Sequence, residues 1–274
     1  MDDPPLIQQF ESCELPFEPA GRCYRRARSL LRARTRSMST PASTNPSGDL
    51  PPGQHESKDF PRFGLADFAF RFPQQTDHPQ IDIRGDVTSA LTLGPDALGM
   101  LPRTEQISDL HCVTTWSRRA LRWSGVRFRD VYEELILPKA GAARDARFVV
   151  LRGQDGYRNS LPLEDLLAED VLLADRLDGA PLGVAHGAPL RLVAPAHYGY
   201  KNVKHLRAIE LWNDASHYRF PGMRVMDHPR ARVALEERGR ISALVLRGVY
   251  RPAIRPLAWL FRLALARHER ERRG

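Results

Sequence analysis

Strict alternation of apolar and polar residues marks the first strand, Ile81-Asp82-Ile83-Arg84-Gly85, and Val87 to Leu93 is expected to continue it after the Gly85-Asp86 turn. Gly94-Pro95-Asp96 opens a short helix through Leu101 that Pro102 stops, and Gln106 to Val113 reads as a strand. Phe128 to Ile136 carries apolar residues at helical spacing, with Pro138 expected to close the helix. Ala146 to Leu151 is a β-rich run, Arg152 to Tyr157 a turn, and Ser160-Leu161-Pro162-Leu163-Glu164-Asp165-Leu166 a capped helix start. Val171 to Ala174 is a buried strand and Gly179 to Gly183 a loop. Leu190-Arg191-Leu192-Val193 alternates, so Arg191 should face away from Leu190 and Leu192. Val203 to Trp212 ends this stretch as a strand. Strands dominate and helices are few and brief, which gives an α+β class with mixed β-sheets and short helices.

The two ends of the chain have a different texture. Residues 1–50 read as a disordered basic leader: Pro4-Pro5, an arginine run from Arg22 to Arg36 and a Ser/Thr/Pro stretch offer little to bury against the entropy of ordering. Met38 is an alternative start. Residues 51–213 form the main domain, and 214–274 a C-terminal extension. Within the extension, Leu257, Trp259, Leu260, Phe261, Leu263 and Leu265 interleave with Arg255, Arg262 and Arg267 as a basic amphipathic helix. Packing on its own domain and peripheral contact with an anionic membrane are its two readings.

Composition narrows the class. A chain of 274 residues with 42% hydrophobic content can bury a sizeable core. The net charge of +8 is concentrated at the two termini, without the base-stacking aromatics of a nucleic-acid surface, so no nucleic acid is expected as partner. Cys13, Cys23 and Cys112 make no even disulfide framework, which fits a reducing compartment. Arg25-Arg26 lacks the apolar run of a twin-arginine export signal, since Arg32, Arg34 and Arg36 follow; the expected location is cytoplasmic.

The candidate chemistry centres on Asp109-Leu110-His111-Cys112-Val113-Thr114-Thr115-Trp116-Ser117, followed by Arg118-Arg119 and then Trp123-Ser124-Gly125-Val126. A thiol between an imidazole and small hydroxyls, with arginines close by, suits a soft metal or a nucleophile; a buried structural cysteine is the other reading of the same residues. A second segment runs His186-Gly187-Ala188-Pro189-Leu190-Arg191-Leu192-Val193-Ala194-Pro195, then Tyr198-Gly199-Tyr200-Lys201-Asn202-Val203-Lys204.

The first segment resembles the molybdenum-site segment of the sulfite-oxidase-like molybdopterin oxidoreductases, and the second is similar to that family's pterin-phosphate segment. The likeness extends from about Pro51 to Trp212. It implies a sulfite-oxidase-type molybdopterin-binding fold and a molybdenum–molybdopterin cofactor with Cys112 as thiolate ligand to the metal. The reaction it implies is oxygen-atom transfer on a small-molecule substrate, with a separate electron-transfer partner. It points to Pro61 and Arg62 on an arm that crosses the cofactor, Gly153 near the metal, and His186 on the pterin. For the phosphate it points to Arg191, Lys204, the Asn202-Val203 backbone amides and, less specifically, Lys201. His111, Tyr200 and Trp116 are candidates for pocket walls and hydrogen bonding, the first two with Cys112 as the catalytic set.

Departures from the family also carry information. Ser108, Asp109, Leu110 and His111 precede Cys112, so the arginine that sulfite oxidases place just before the ligand is missing, which argues against sulfite. The methionine-sulfoxide reductase branch shares the Tyr-Gly-aromatic-Lys segment. Two other functions compete: a non-catalytic binding or membrane-peripheral module that retains the fold, and a hydrolase pairing Cys112 with His186 or His197. The hydrolase reading leaves the second segment unexplained.

Overall fold

Two twisted sheets share their inner faces, and the apolar periodicity that predicts each strand also fixes which face is inner. The computed structural model describes residues 49–273; Cys13, Cys23, the Arg22–Arg36 run and all but the end of the proposed leader lie outside them. In chain order the elements are β1 (His55–Glu56), a 3-10 turn (Ala66–Phe68), β2 (Ile81–Gly85), β3 (Leu91–Leu93), α1 (Pro95–Gly99), β4 (Arg103–His111) and β5 (Trp116–Arg127). Next come α2 (Phe128–Val131), running into a π-helical stretch (Tyr132–Ala140), β6 (Phe148–Gly153), β7 (Arg158–Pro162), α3 (Leu163–Leu166), β8 (Leu172–Leu177) and β9 (Ala180–Pro181). Then follow 3-10 turns at Val184–His186 and Gly199–Lys201 on either side of β10 (Arg191–Val193), β11 (Leu206–Trp212), a 3-10 turn (Arg224–Met226) and α4 (Ala243–Glu271).

The first sheet runs β1-β5-β8-β10, with β4 also on β5 and β9 on β8; the second runs β3-β2-β11-β6-β7. The β1–β5 and β2–β11 pairs are parallel and the rest antiparallel, so the mixed-sheet α+β expectation holds. Ile81, Ile83, Val149, Leu151, Ile209 and Leu211 of the second sheet meet Val126, Leu173, Leu190 and Leu192 in the main core, which α2 and the π-helical stretch close with Phe128, Val131 and Ile136.

Four expectations are corrected. Trp116 to Arg127, read as a site segment and basic linker, is the long strand β5, pairing with β4, β8 and β1. Only Leu91–Leu93 of the expected 87–93 strand forms. Pro138 lies inside the helix: the π-helical stretch has already left the i→i−4 ladder that a proline interrupts, and the turn ends instead at Gly141 with φ 63°. Ser160 to Pro162 belongs to β7 because Val150 and Val149 of β6 pair with Ser160 and Leu161; the helix begins only at Leu163.

Gly125 sits at a register shift between β5 and β8, where a Cβ would lie 2.1 Å from the Leu173 carbonyl oxygen. Gly125→Ala therefore has to push two central strands apart, and urea unfolding should show a loss of about 3 kcal/mol. A loss below about 1 kcal/mol would mean that the sheet yields there.

The described residues form one compact unit, which includes the C-terminal extension. Leu246, Tyr250, Phe261 and Ala264 of α4 are buried, and Phe261 packs on Ala69 and Phe63.

Candidate cofactor and active site

β4 delivers Cys112 into a tight connection to β5. The Cys112 N–H donates to the Trp116 carbonyl at 2.8 Å, the Thr115 N–H donates to the Cys112 carbonyl at 3.1 Å, and Thr115 takes φ 85°. A β-branched residue with positive φ is strained and persists only where its surroundings fix it. Here they do so from three directions. The Thr115 carbonyl accepts the His55 N–H at 3.0 Å, the Gln54 side-chain amide donates to the Cys112 carbonyl at 3.1 Å, and Arg238 donates to the Val113 carbonyl at 2.5 Å. The Cys112 Sγ lies 3.1 Å from the Thr114 hydroxyl. Burial pushes the thiol up, while the Thr114 bonds and the charges of Lys204 and Arg238 pull it down. A bound cation on the sulfur would tip that balance to the thiolate.

His111 is buried, with Nδ1 2.7 Å from the Ser117 hydroxyl, which donates in turn to Gln54. This chain ties the arm to the hairpin. Tyr200 accepts the His228 N–H at 3.1 Å, and burial holds its phenol well above the usual value. Its ring packs with Val113, Tyr198 and Val233 beside the Cys112 turn. Trp116 is buried, edge-on to Phe63 at 6.0 Å. The sulfur has no imidazole hydrogen-bonded to it among the described residues. His197 Nδ1 lies 2.5 Å from the Arg230 carbonyl oxygen and its Nε2 faces Asp165, so the hydrolase reading lacks its base.

The second segment gathers cations with little negative charge near them. As its alternation predicts, Arg191 turns from the main core and lies with its guanidinium 4.9 Å over the Trp123 ring. It donates to the carbonyls of Leu192 at 3.2 Å, His186 at 3.0 Å and Asn202 at 3.5 Å, and Lys204 donates to the Ala185 carbonyl at 3.0 Å. The Val184–His186 turn closes on Gly187 at φ 114°, where a Cβ would come within 3.0 Å of Arg191 Cβ. His186 stacks on Phe60 with centroids 4.5 Å apart, and its buried Nδ1 has no partner.

Burial drives Arg191 down to about 9 and Lys204 to about 7, the latter helped by Arg191 and Arg62. It drives His186 to about 4, with Lys204 and Arg191 adding to the shift. Neither Arg191 nor Lys204 has a carboxylate hydrogen-bonded to it among the described residues; Asp155 is the acid whose charge reaches Lys204. Lys204 acts electrostatically on Cys112 as well, so both segments meet in one field.

The remaining candidates are placed as follows. Arg62, beside the partly buried Pro61, spends its guanidinium on the carbonyls of Phe68, Ala69 and Arg71 and lies between the Phe72 and Phe261 rings. Its charge still reaches Lys204 and His205. Gly153 approaches the second segment closely, since a Cβ there would lie 2.6 Å from the Lys204 carbonyl oxygen. It also lines an arginine-rich cleft of about 330 Å³ with Arg84, Arg152 and Arg207.

Two expectations about donors are corrected. The Asn202 N–H is bonded to the Gly199 carbonyl and the Val203 N–H to the Lys201 carbonyl, because the 3-10 turn consumes the first and an inverse γ-turn at Asn202 the second. Lys201 is completely buried, donating to Asn159 Oδ1 at 2.8 Å and the Ser160 carbonyl at 2.9 Å, with Asp227 at 3.4 Å. It is a structural strut for the turn. The Asn202 side chain is a second strut, accepting the Ala194 N–H at 2.6 Å. The sequence reading missed Gln54, Thr114, Asp155 and Arg238. Thr114 stood in the first segment itself, two residues from the thiol; Arg238 gave no signal, coming from a charged stretch far down the chain.

Residues 69–220, more than half of the chain, match the oxidoreductase molybdopterin binding domain. The chain is 38% identical over 164 residues to the uncharacterized oxidoreductase YuiH of Bacillus subtilis, covering 60% of this chain and 79% of that one. It is 30% identical over 149 residues to the protein-methionine-sulfoxide reductase catalytic subunit MsrP of Campylobacter jejuni, covering 49% of each. The matching stretch thus spans about half the length of that reductase subunit. Among solved structures, the sulfane dehydrogenase SoxCD of Paracoccus pantotrophus aligns with a TM-score of 0.43 at 19% identity, over 65% of this chain and 57% of that one. The chain belongs to the oxidoreductase molybdopterin-binding domain family, and its cofactor is the molybdenum–molybdopterin group.

Proposed function

We propose that this protein catalyses oxygen-atom transfer on a small-molecule substrate at a mononuclear molybdenum centre, with Cys112 as the protein's ligand to the metal. The observation that carries the reading is the pairing of a buried thiol with a cationic cluster whose Arg191 and Lys204, among the described residues, have only carbonyls as hydrogen-bond acceptors. Such cations are costly without an anion, and a pterin phosphate supplies one. The partnerless Nδ1 of His186 fits a polar edge of the pterin. The residues present therefore fit the group. When bound, the cofactor supplies the two-electron redox chemistry.

The chain's own part is to hold and orient. Thr114, Gln54 and Arg238 fix the Cys112 turn, Arg191 and Lys204 hold the phosphate, and Pro61-Arg62 anchor the arm. Tyr200, kept protonated by burial, is a proton-bearing wall for a substrate, with His111 bracing the hairpin behind it. A separate electron-transfer partner completes the cycle. Sulfoxides are the first substrates to assay, since relatives are named methionine-sulfoxide reductases and the four residues before Cys112 include no arginine.

Elemental mass spectrometry on protein from a host that makes the cofactor should find near-stoichiometric molybdenum. Cys112→Ser and Arg191→Ala should each retain roughly tenfold less or lower. Metal-free parent protein with a freely alkylated Cys112, from a host that loads a control enzyme, would overturn the assignment.

A further inference from the structure

The outward face of α4 plays no part in the site. Its inner face is committed through Leu246, Tyr250, Phe261 and Ala264, all buried. Val245, Val249, Trp259 and Leu263 stand exposed on the other side, Trp259 at 61%. At about 100° per residue these four fall on one line with Pro252 and Pro256, a ridge roughly 27 Å long. Exposed Arg251, Arg255 and Arg262 flank it along one edge, and from Ala243 the helix carries no acidic residue before Glu269.

We propose that this ridge seats the protein on an anionic membrane surface, with α4 lying in the headgroup layer and its arginine edge on lipid phosphates. The charge pattern selects the occupant. A second copy docking on the ridge by two-fold symmetry would bring the same arginine-edged faces together, which like charges oppose. A fluid anionic interface accepts a convex apolar ridge without a matching groove and neutralises the arginines. Depth follows from the backbone: Pro252 and Pro256 cannot donate to the carbonyls of Gly248 and Pro252, and those two carbonyls need the water of the headgroup layer. No helix among the described residues is long and apolar enough to cross a membrane.

The test is flotation of the full chain with vesicles of phosphatidylcholine alone or with roughly a quarter phosphatidylserine. Binding to the anionic vesicles alone is expected. Val249→Glu/Trp259→Glu and Arg251→Gln/Arg255→Gln/Arg262→Gln should each lower partitioning roughly a hundredfold with unchanged thermal melting, because every substituted side chain is exposed. Three results would overturn the proposal: no flotation of the parent, flotation that neither variant weakens, or a parent dimer that the ridge variant converts to monomer. The second would assign the contact to basic residues elsewhere in the chain, and the third would make the ridge an interface between copies.

Discussion

Lys201→Met is expected to lower the unfolding free energy by about 3–5 kcal/mol, the cost of leaving a buried partner charge uncompensated. The methionine fills a similar volume but returns nothing to Asp227, itself 5% exposed, nor to Asn159 Oδ1 and the Ser160 carbonyl. Burial already holds the amine down to about 8 despite Asp227, so the pair is close to the limit of what its hydrogen bonds offset. Urea unfolding of Lys201→Met beside Lys201→Met/Asp227→Asn measures this, with part of the loss recovered in the double variant. If the single variant lost molybdenum while its apo stability stayed within about 1 kcal/mol of the parent, Lys201 would be a phosphate ligand after all.

Acid should unfold the protein early, and His205 and His197 should account for much of it. His205 is 1% exposed, with Nδ1 2.6 Å from the Ala188 carbonyl oxygen; burial, with Lys204, Arg62 and Arg191, lowers it to about 3. His197 is lowered to about 4, mainly by burial. Both are neutral when folded and take a proton at their ordinary value when unfolded. The unfolded chain therefore binds more protons below about pH 6.5, and stability present above that pH is lost as pH falls through about 4 and 3. At about 1.4 kcal/mol per pKa unit, His197 contributes on the order of 3 kcal/mol and His205 on the order of 5 kcal/mol at the acid limit. Asp155 and Asp165 are raised by burial and act with the opposite sign, so a variant has to isolate the effect. His205→Gln should flatten the dependence of melting temperature on pH between 6.5 and 4; a parent equally stable at pH 7 and pH 4.5 would refute the argument.

These two effects also show where reading the sequence succeeds. The strand that carries Cys112 and the alternation that aims Arg191 away from the main core were legible, because both depend on local period and on the two segments themselves. β5 was hidden by its own content: Ser117-Arg118-Arg119-Ala120 looks like a linker, and the strand bears a bulge opposite Asp109, where Ala120 takes φ 54° and donates to the Asp109 carboxylate at 2.8 Å. The burial of Lys201 and the pairing of Arg62 with three carbonyls are tertiary facts. A lysine in a turn and an arginine on an arm look the same in sequence whether they meet solvent, ligand or backbone. Arg238 reaches the Val113 carbonyl from 125 residues away, a separation that no local pattern signals.

The sheet that joins β5 to β8 and β10 has one more consequence. Cys112 follows the last residue of β4 and Arg191 starts β10, and paired backbone links their strands: β4 on β5 along its length, Gly125 near the far end of β5 opposite Ala174 of β8, and Ala174 opposite Arg191. The sheet is thus a ruler with a fixed rung spacing of about 4.8 Å between strands. Side chains remote from the metal can be exchanged without altering that measure. A slip of β10 by a single residue would turn Arg191 to the opposite face of the sheet and bring a leucine round in its place. Evolution can thus vary what enters the site far more freely than it can vary the span between its two ends.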